Sequence, residues 1–152
     1  MAKDSADAFI VRSAEGEAIP AAGVDHLFKL TAGQTSGGLS LERFLVPPGV
    51  VGARPHVHRA HDETFFVLAG RLTVTTEHGD VVLYAGDLAH APRGSLHGFR
   101  NAGPDPVQAL CIYNPPGYEQ YFRDVHAAVE AGQDVTAELL ADLRGRYSTE
   151  SF

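Results

Sequence analysis

The sequence predicts an all-β protein, a sandwich or barrel of short antiparallel strands followed by a C-terminal helical extension. Its 152 residues suffice for one domain with its own core. The 16 glycines and 9 prolines divide the middle of the chain into short apolar runs, as in all-β domains. After Tyr113 the pattern becomes helical. We therefore expect an N-terminal arm over 1–37, a β-domain over 38–113 and a helical tail over 114–152.

Five apolar segments are predicted strands because they are rich in β-branched and aromatic residues. In RLTVTTE, Leu72 and Val74 alternate with threonines, which is the period of a half-buried strand. The EHGD that follows predicts a hairpin turn, in which Gly79 can adopt positive φ. The predicted strands cover 39–46, 64–70, 71–77, 81–84 and 107–113.

Two helices are predicted after the break at NPPG (114–117). The first has one apolar face and ends near Gly132, a residue suited to a helix C-terminus. For the second helix, Asp134 is a better N-cap candidate than Thr136. The apolar face of the first helix consists of Tyr118, Tyr121, Phe122, Val125 and Val129.

Charge and composition exclude several classes of partner. The net charge of −7, without a local basic run, argues against nucleic acid. The first residues lack the apolar segment of a secretory signal, and no stretch is long enough to span a bilayer. Cys111 lies in an apolar run and is expected in the core. A soluble cytoplasmic protein without membrane partners is the expectation.

Six of the eight histidines fall between His56 and His97, and their spacing indicates a metal site. His56 and His58 share a face if they lie on one strand, because strand side chains repeat every two residues. Glu63 follows a short polar corner and is expected to return from the neighbouring strand. His97, after a Pro-x-Gly turn, is the leading candidate for a fourth ligand. Three nitrogens and one carboxylate suit a single divalent Fe, Ni, Mn, Co, Cu or Zn ion.

The same residues resemble the two motifs of the cupin superfamily. The first, G-x(5)-H-x-H-x(3,4)-E-x(6)-G, matches 49–70 with one extra residue after its first glycine. The second, G-x(5)-P-x-G-x(2)-H-x(3)-N, matches 86–101 without departure. The resemblance implies a cupin double-stranded β-barrel (jelly roll) with a metal inside its mouth. It also implies that the ligands are His56, His58, Glu63 and His97.

The motifs together with NPPGYEQYF and the helical tail are similar to small quercetin 2,3-dioxygenase-like proteins. That similarity implies an enzyme that cleaves a flavonol or similar enolisable aromatic substrate with O₂. Glu63 would be its catalytic proton acceptor. The expected pocket residues are Phe66, Leu68, Leu72, His90, Phe99, Tyr118, Tyr121 and Phe122.

Two other functions compete with the dioxygenase. One is a cyclase or isomerase of secondary metabolism in which the metal is only a Lewis acid. The other is a metal-containing ligand-binding module without turnover. An intact ligand set disfavours the second, but the sequence does not separate the first from the dioxygenase.

Four further expectations concern individual residues or segments. His61 is expected on the surface, whereas His90 either lines the cavity or faces solvent. The helix after Pro115–Gly117 is expected to border the cavity mouth and exclude water from it. The apolar segment 9–11 in the arm predicts a homodimer.

Overall fold

A computed structural model that describes residues 7–152 contains eleven antiparallel strands, which pack as two facing sheets. The six-stranded sheet contains, in spatial order, β1 (Glu17–Ala21), β2 (Val24–Leu30), β3 (Ser40–Val46), β10 (Val107–Asn114), β5 (Asp62–Ala69) and β8 (Leu88–Ala91). The five-stranded sheet contains β11 (Thr149–Ser151), β4 (Val51–His58), β9 (Leu96–Arg100), β6 (Leu72–Thr76) and β7 (Gly79–Leu83). This architecture is the cupin double-stranded β-barrel, so the predicted fold class is confirmed.

Alternation along the strands decides which side chains enter the barrel. In β3 every second residue from Ser40 to Val46 is buried, and β10 repeats this pattern from Val107 to Tyr113. Cys111 lies on the buried face of β10, as predicted. All five predicted segments overlap observed strands.

Three phenylalanines join the two sheets at the centre of the barrel. Phe44 on β3 and Phe65 on β5 meet Phe99 from the opposite sheet, with ring centroids 5.1 and 5.5 Å from that of Phe99. Each fully buried phenylalanine stabilises the fold by about 2 kcal/mol relative to an exposed one. The three rings lie at the base of the cavity that contains the candidate site.

Gly70 shows why a glycine is needed at the end of β5. Its φ is 78°, in the left-handed region that other residues adopt only with strain. A Cβ atom there would lie 2.5 Å from the carbonyl oxygen of Pro106. Gly70 is therefore a structural residue of the turn between β5 and β6.

The N-terminal hairpin β1–β2 extends the six-stranded sheet, because β2 pairs with β3. Residues 1–6 of the arm lie outside the described residues. The hairpin also provides a surface for the tail, where Arg123 donates to the carboxylate of Glu17 at 2.8 Å. The arm thus adds two strands, β1 and β2, to one sheet of the barrel.

The tail contains the two predicted helices, α1 (Glu119–Glu130) and α2 (Ala137–Gly145), and a strand that the sequence did not predict. That strand, β11, pairs with β4 and brings Thr149 opposite His58. The expected cap of α2 is wrong: Thr136, not Asp134, accepts a hydrogen bond from the Leu139 backbone, because its extended backbone immediately precedes the first helical turn. Between residues 7 and 152 neither helix has the length and hydropathy needed to cross a membrane.

Candidate metal centre and its cavity

Four side chains from both sheets converge at one end of the barrel. His56 and His58 lie on β4, and His97 is the direct cross-strand partner of His56 on β9. Glu63 reaches them from β5 in the facing sheet. Our expectation that Glu63 comes from a neighbouring strand is wrong, because the corner at 59–62 crosses from one sheet to the other. One donor atom from each of these four buried residues lies within 4.8 Å of the others.

The donor atoms are in close contact with one another. The Nε2 atoms of His56 and His58 are 2.9 Å apart. The Glu63 carboxylate contacts two of the rings: Oε1 is 2.9 Å from His58 Nε2, and Oε2 is 3.1 Å from His97 Nε2. We refer to these four residues as the donor cluster.

Hydrogen bonds outside the donor cluster fix the orientation of all three histidines. His56 Nδ1 donates to the Arg54 carbonyl at 2.6 Å, and His97 Nδ1 donates to the Ser95 carbonyl at 3.2 Å. His58 Nδ1 lies 2.7 Å from Thr149 Oγ1, whose own proton goes to the Tyr147 carbonyl. Because each Nδ1 carries a hydrogen, each ring directs an Nε2 lone pair into the cluster when it is neutral. When His58 or His97 gains a proton, its Nε2–H instead donates to the Glu63 carboxylate.

Such converging lone pairs repel unless a proton or a metal cation lies between them. Burial, assisted by His58 and His97, lowers the pKa of His56 to about 3, so this ring is neutral near pH 7. Burial also lowers the pKa of His58, against the opposing effect of Glu63. The donor cluster therefore has the chemistry of a metal site, with neutral imidazoles and an outward hydrogen bond on each ring.

Glu63 is ionised in this setting. Burial by itself raises its pKa, but the charge and hydrogen bond of His58, with hydrogen bonds from His61 and His97, hold the pKa well below its usual range. His97 shows the reciprocal effect: burial lowers its pKa, but the hydrogen bond and charge of Glu63, together with the hydrogen bond to the Ser95 carbonyl, outweigh burial and raise the pKa. A carboxylate with these partners remains negatively charged and available to a cation.

His61 is buried beside the donor cluster, so our expectation of a surface position is wrong. Only 5% of the residue is exposed, and its Nε2 donates to Glu63 Oε1 at 3.0 Å. His61 precedes β5 by one residue, and the two-residue period places its side chain on the same side as that of Glu63. His61 therefore orients the carboxylate of the cluster.

A cavity of about 760 Å³ opens from the donor cluster toward the C-terminal tail. Its walls include Phe99, Tyr118, Tyr121 and Phe122, four of the residues expected in a pocket. The ring of Tyr118 lies 4.7 Å from that of His58 and stacks on Tyr121 at 4.9 Å. The first helix thus brings aromatic rings directly against the donor cluster.

The other four expected pocket residues do not line this cavity. Phe66 and Leu68 are 38% and 41% exposed, because they alternate with the inward Glu63, Phe65 and Val67 of β5. Leu72 is fully buried in the core between the sheets. His90 faces solvent and contacts Thr64 Oγ1 at 2.8 Å. For Phe66, Leu68 and His90 the expectation is wrong because these residues occupy outward positions of their strands. For Leu72 it is wrong because the residue points into the core, away from the cavity.

A second buried polar group faces the cavity and was not predicted. His26 Nδ1 lies 2.6 Å from Glu42 Oε1, and the Tyr113 hydroxyl donates to Glu42 Oε2 at 2.7 Å. Glu42 is fully buried and His26 is 5% exposed. The alternation of β3 could have placed Glu42 inside, but nothing in the local sequence pairs it with His26. This His26–Glu42 pair is a potential proton donor and acceptor apart from the donor cluster.

Arg144 is another cavity residue that the sequence did not reveal. It lies in the last turn of α2 and is only 8% exposed. Its guanidinium carbon lies 5.7 Å from the centre of the Tyr121 ring. A helical pattern alone does not indicate that this arginine points into a cavity.

Comparison with known proteins agrees with the fold. Residues 42–113 match the family model described as Cupin domain. Quercetin 2,3-dioxygenase of Bacillus subtilis (strain 168) is 32% identical over 126 residues, which are 79% of this chain and 35% of that protein. The chain spans 50% to 61% of three other curated relatives. It therefore corresponds to only part of each of these proteins.

Solved structures show the same fold. The crystal structure of a predicted oxalate decarboxylase from Thermotoga maritima has a TM-score of 0.62 and 25% identity, and the match covers 69% of this chain and 97% of that one. The polyketide cyclase RemF from Streptomyces resistomycificus also has a TM-score of 0.62, at 21% identity, with 70% of this chain and 79% of that chain covered. The second likeness concerns the fold alone.

Proposed function

Because this chain belongs to the cupin superfamily, we propose that it is a metal-dependent enzyme whose ion is held by the donor cluster. The proposed ligands are His56, His58, Glu63 and His97. The observation that carries this proposal is the convergence of three histidine Nε2 atoms and one ionised carboxylate in a single buried site. Such a donor set suits one divalent transition metal, with Fe, Ni, Mn, Co, Cu and Zn as the candidates.

The proposed reaction is oxidative ring cleavage of a flavonol or a similar enolisable aromatic compound by O₂. A bound ion would act as a Lewis acid toward the substrate oxygen and, if redox-active, would assist the reaction with O₂. Two features support this choice over other reactions: the aromatic walls of the cavity suit a flat ring, and a relative that aligns with 79% of the chain is a quercetin 2,3-dioxygenase.

The side chains have separable roles in this proposal. A carboxylate oxygen of Glu63 accepts the proton of the enolic hydroxyl, and His61 holds that carboxylate in place. Tyr118 lies against His58 and His61, where it limits access of water to the donor cluster. Phe99 and Phe122 provide further apolar walls. We propose that Glu63 is the catalytic residue and that the aromatic residues bind and orient the substrate.

A second candidate function is a metal-assisted cyclase or isomerase without redox chemistry. The His26–Glu42 pair supports it, because a histidine oriented by a buried carboxylate can move protons without O₂. His26 lines the cavity beside Phe122, with ring centroids 4.0 Å apart, so a ring bound in the cavity could contact it. This reaction would use the same cavity and the same ligands.

Oxygen uptake distinguishes the two candidates. Metal-loaded protein would be mixed with quercetin, and O₂ consumption and loss of flavonol absorbance would be followed together. Equal molar consumption of O₂ and flavonol supports the dioxygenase. Conversion of enolisable aromatic compounds without O₂ uptake supports the cyclase or isomerase. Binding without any conversion across such compounds would refute both and leave a ligand-binding module. The exposed-site variant His90→Ala serves as the control for each measurement.

A further inference from the structure

Arg144 is a buried cation without a carboxylate partner. Among residues 7–152 no carboxylate oxygen lies within 4.0 Å of its guanidinium nitrogens. Five other arginines have such partners, and the side chains of all five are more exposed than Arg144. They are Arg59, Arg93, Arg100, Arg123 and Arg146. The most enclosed of these six guanidinium groups is thus the one whose charge is not balanced.

Enclosing an arginine in this way is unfavourable unless a negative group completes the site. A buried charge loses its hydration, and arginine is rarely buried without a partner. Contact with the Tyr121 ring compensates only partly, because a cation–π interaction is weaker than a charge-assisted hydrogen bond to a carboxylate. Three carboxylates line the cavity. Glu42 binds His26 and Tyr113, and Glu63 belongs to the donor cluster. Glu138 lies on the same helix as Arg144, but it is exposed and forms no ion pair with Arg144.

Arg144 lies on the same cavity wall as the donor cluster and is linked to it by two aromatic rings. Tyr118 lies against His58, Tyr121 stacks on Tyr118, and the Arg144 guanidinium lies over Tyr121. Two aromatic rings therefore separate the arginine from the cluster along one wall of the cavity. A ligand of about two fused rings could extend from one to the other.

We propose that Arg144 binds the carboxylate of an aromatic acid whose opposite end lies at the donor cluster. Guanidinium has the planar geometry for two parallel hydrogen bonds to a carboxylate. This inference rests on the proposed function and narrows it, since it specifies an anionic aromatic substrate in place of a neutral one. Arg54 also lines the cavity but is exposed, so it does not have the enclosure that makes Arg144 selective.

The test compares 2-naphthoate with 2-naphthamide, which have the same rings but differ in charge. Calorimetric titration of metal-loaded wild-type protein should show at least about tenfold tighter binding of the acid, the gain expected from one charge-assisted pair. Arg144→Met should remove this preference and leave amide binding unchanged. Arg146→Met should retain the preference, because Arg146 is in the same region of the tail but pairs with Asp142 at the surface.

Repeating the titration after removal of the metal by a chelator separates this inference from the proposed function. A preference that persists without metal and disappears in Arg144→Met supports the carboxylate site whether or not the protein is a metalloenzyme. Equal binding of acid and amide by the wild type would overturn the inference and requires no variant. A preference that is lost with the metal but retained in Arg144→Met would also overturn it, because the carboxylate would then be a metal ligand. If Arg144→Met does not fold, Arg144→Gln is measured against the same outcomes.

Discussion

The Nε2 atoms of His56 and His58 lie 2.9 Å apart, while the Nδ1 atoms of the same two rings bind the Arg54 carbonyl and the Thr149 hydroxyl. Both neutral rings consequently direct lone pairs at each other, with the ionised Glu63 beside them. A cation bound between these atoms would remove their mutual repulsion, so the arrangement suits a metal ion. Thr149 belongs to a strand of the tail, and the tail therefore takes part in orienting the cluster.

Replacing Glu63 by Gln should separate catalysis from metal retention. Three histidines remain as ligands, but an amide oxygen cannot accept the proton of the substrate hydroxyl. We expect turnover to fall by about 100-fold or more while most of the metal is retained. Steady-state kinetics together with elemental analysis of the same sample would measure both. Wild-type turnover in Glu63→Gln would leave this residue as a ligand at most.

His61→Ala should weaken metal binding although His61 is not a proposed ligand. Its hydrogen bond orients the Glu63 carboxylate, and loss of such a partner typically lowers metal affinity about 10- to 100-fold. Competition with a chromogenic chelator would give the affinity. The control is His78→Ala, which changes an exposed histidine in the β6–β7 turn. Equal affinities of His61→Ala and the control would show that His61 has no such role.

The His26–Glu42 pair should behave as a coupled unit in stability measurements. His26→Phe leaves the buried Glu42 carboxylate with only the Tyr113 hydroxyl, and we expect a loss of about 3 to 5 kcal/mol in the free energy of unfolding. The double variant His26→Phe/Glu42→Met removes both polar groups and should recover most of this loss. Urea denaturation would measure each value. Additive effects of the two substitutions would contradict the coupling.

We also predict a homodimer that uses the apolar segment of the N-terminal arm. Phe9 and Ile10 are 54% and 71% exposed, although both are large apolar side chains. Sedimentation velocity at micromolar concentration should therefore show a dimer, and Phe9→Ser/Ile10→Ser should shift it toward monomer. A wild-type monomer at that concentration would contradict this prediction, as would an unchanged dimer in the double variant.

Local patterns predicted five of the eleven observed strands and the proposed ligands, because both depend on spacing along the chain. The alternation of side chains along a strand also predicts the positions of Phe66, Leu68 and His61, which we assigned wrongly. Since Glu63 points inward on β5, residues 65 and 67 must also point inward, which places Phe66 and Leu68 outside. Extending the period backward by one step would have placed His61 beside Glu63.

The remaining features depend on contacts between distant segments. His26 meets Glu42 only because the N-terminal hairpin adds to the sheet beside β3. Arg144 enters the cavity only because α2 leads into β11, a strand of three residues that is too short to give a periodic signal. Neither contact has a local signature, so spacing along the sequence does not reveal these two cavity residues.

The most direct test of the account is the metal content of protein purified without an added ion. We expect about one divalent transition metal per chain in the wild type, as the single donor cluster requires. His56→Ala/His58→Ala should lose nearly all of it and remain folded by circular dichroism, whereas the solvent-exposed control His90→Ala should keep it. Stoichiometric metal in the folded double variant would contradict the proposed metal centre, and so would a wild-type protein that neither contains nor takes up a divalent ion.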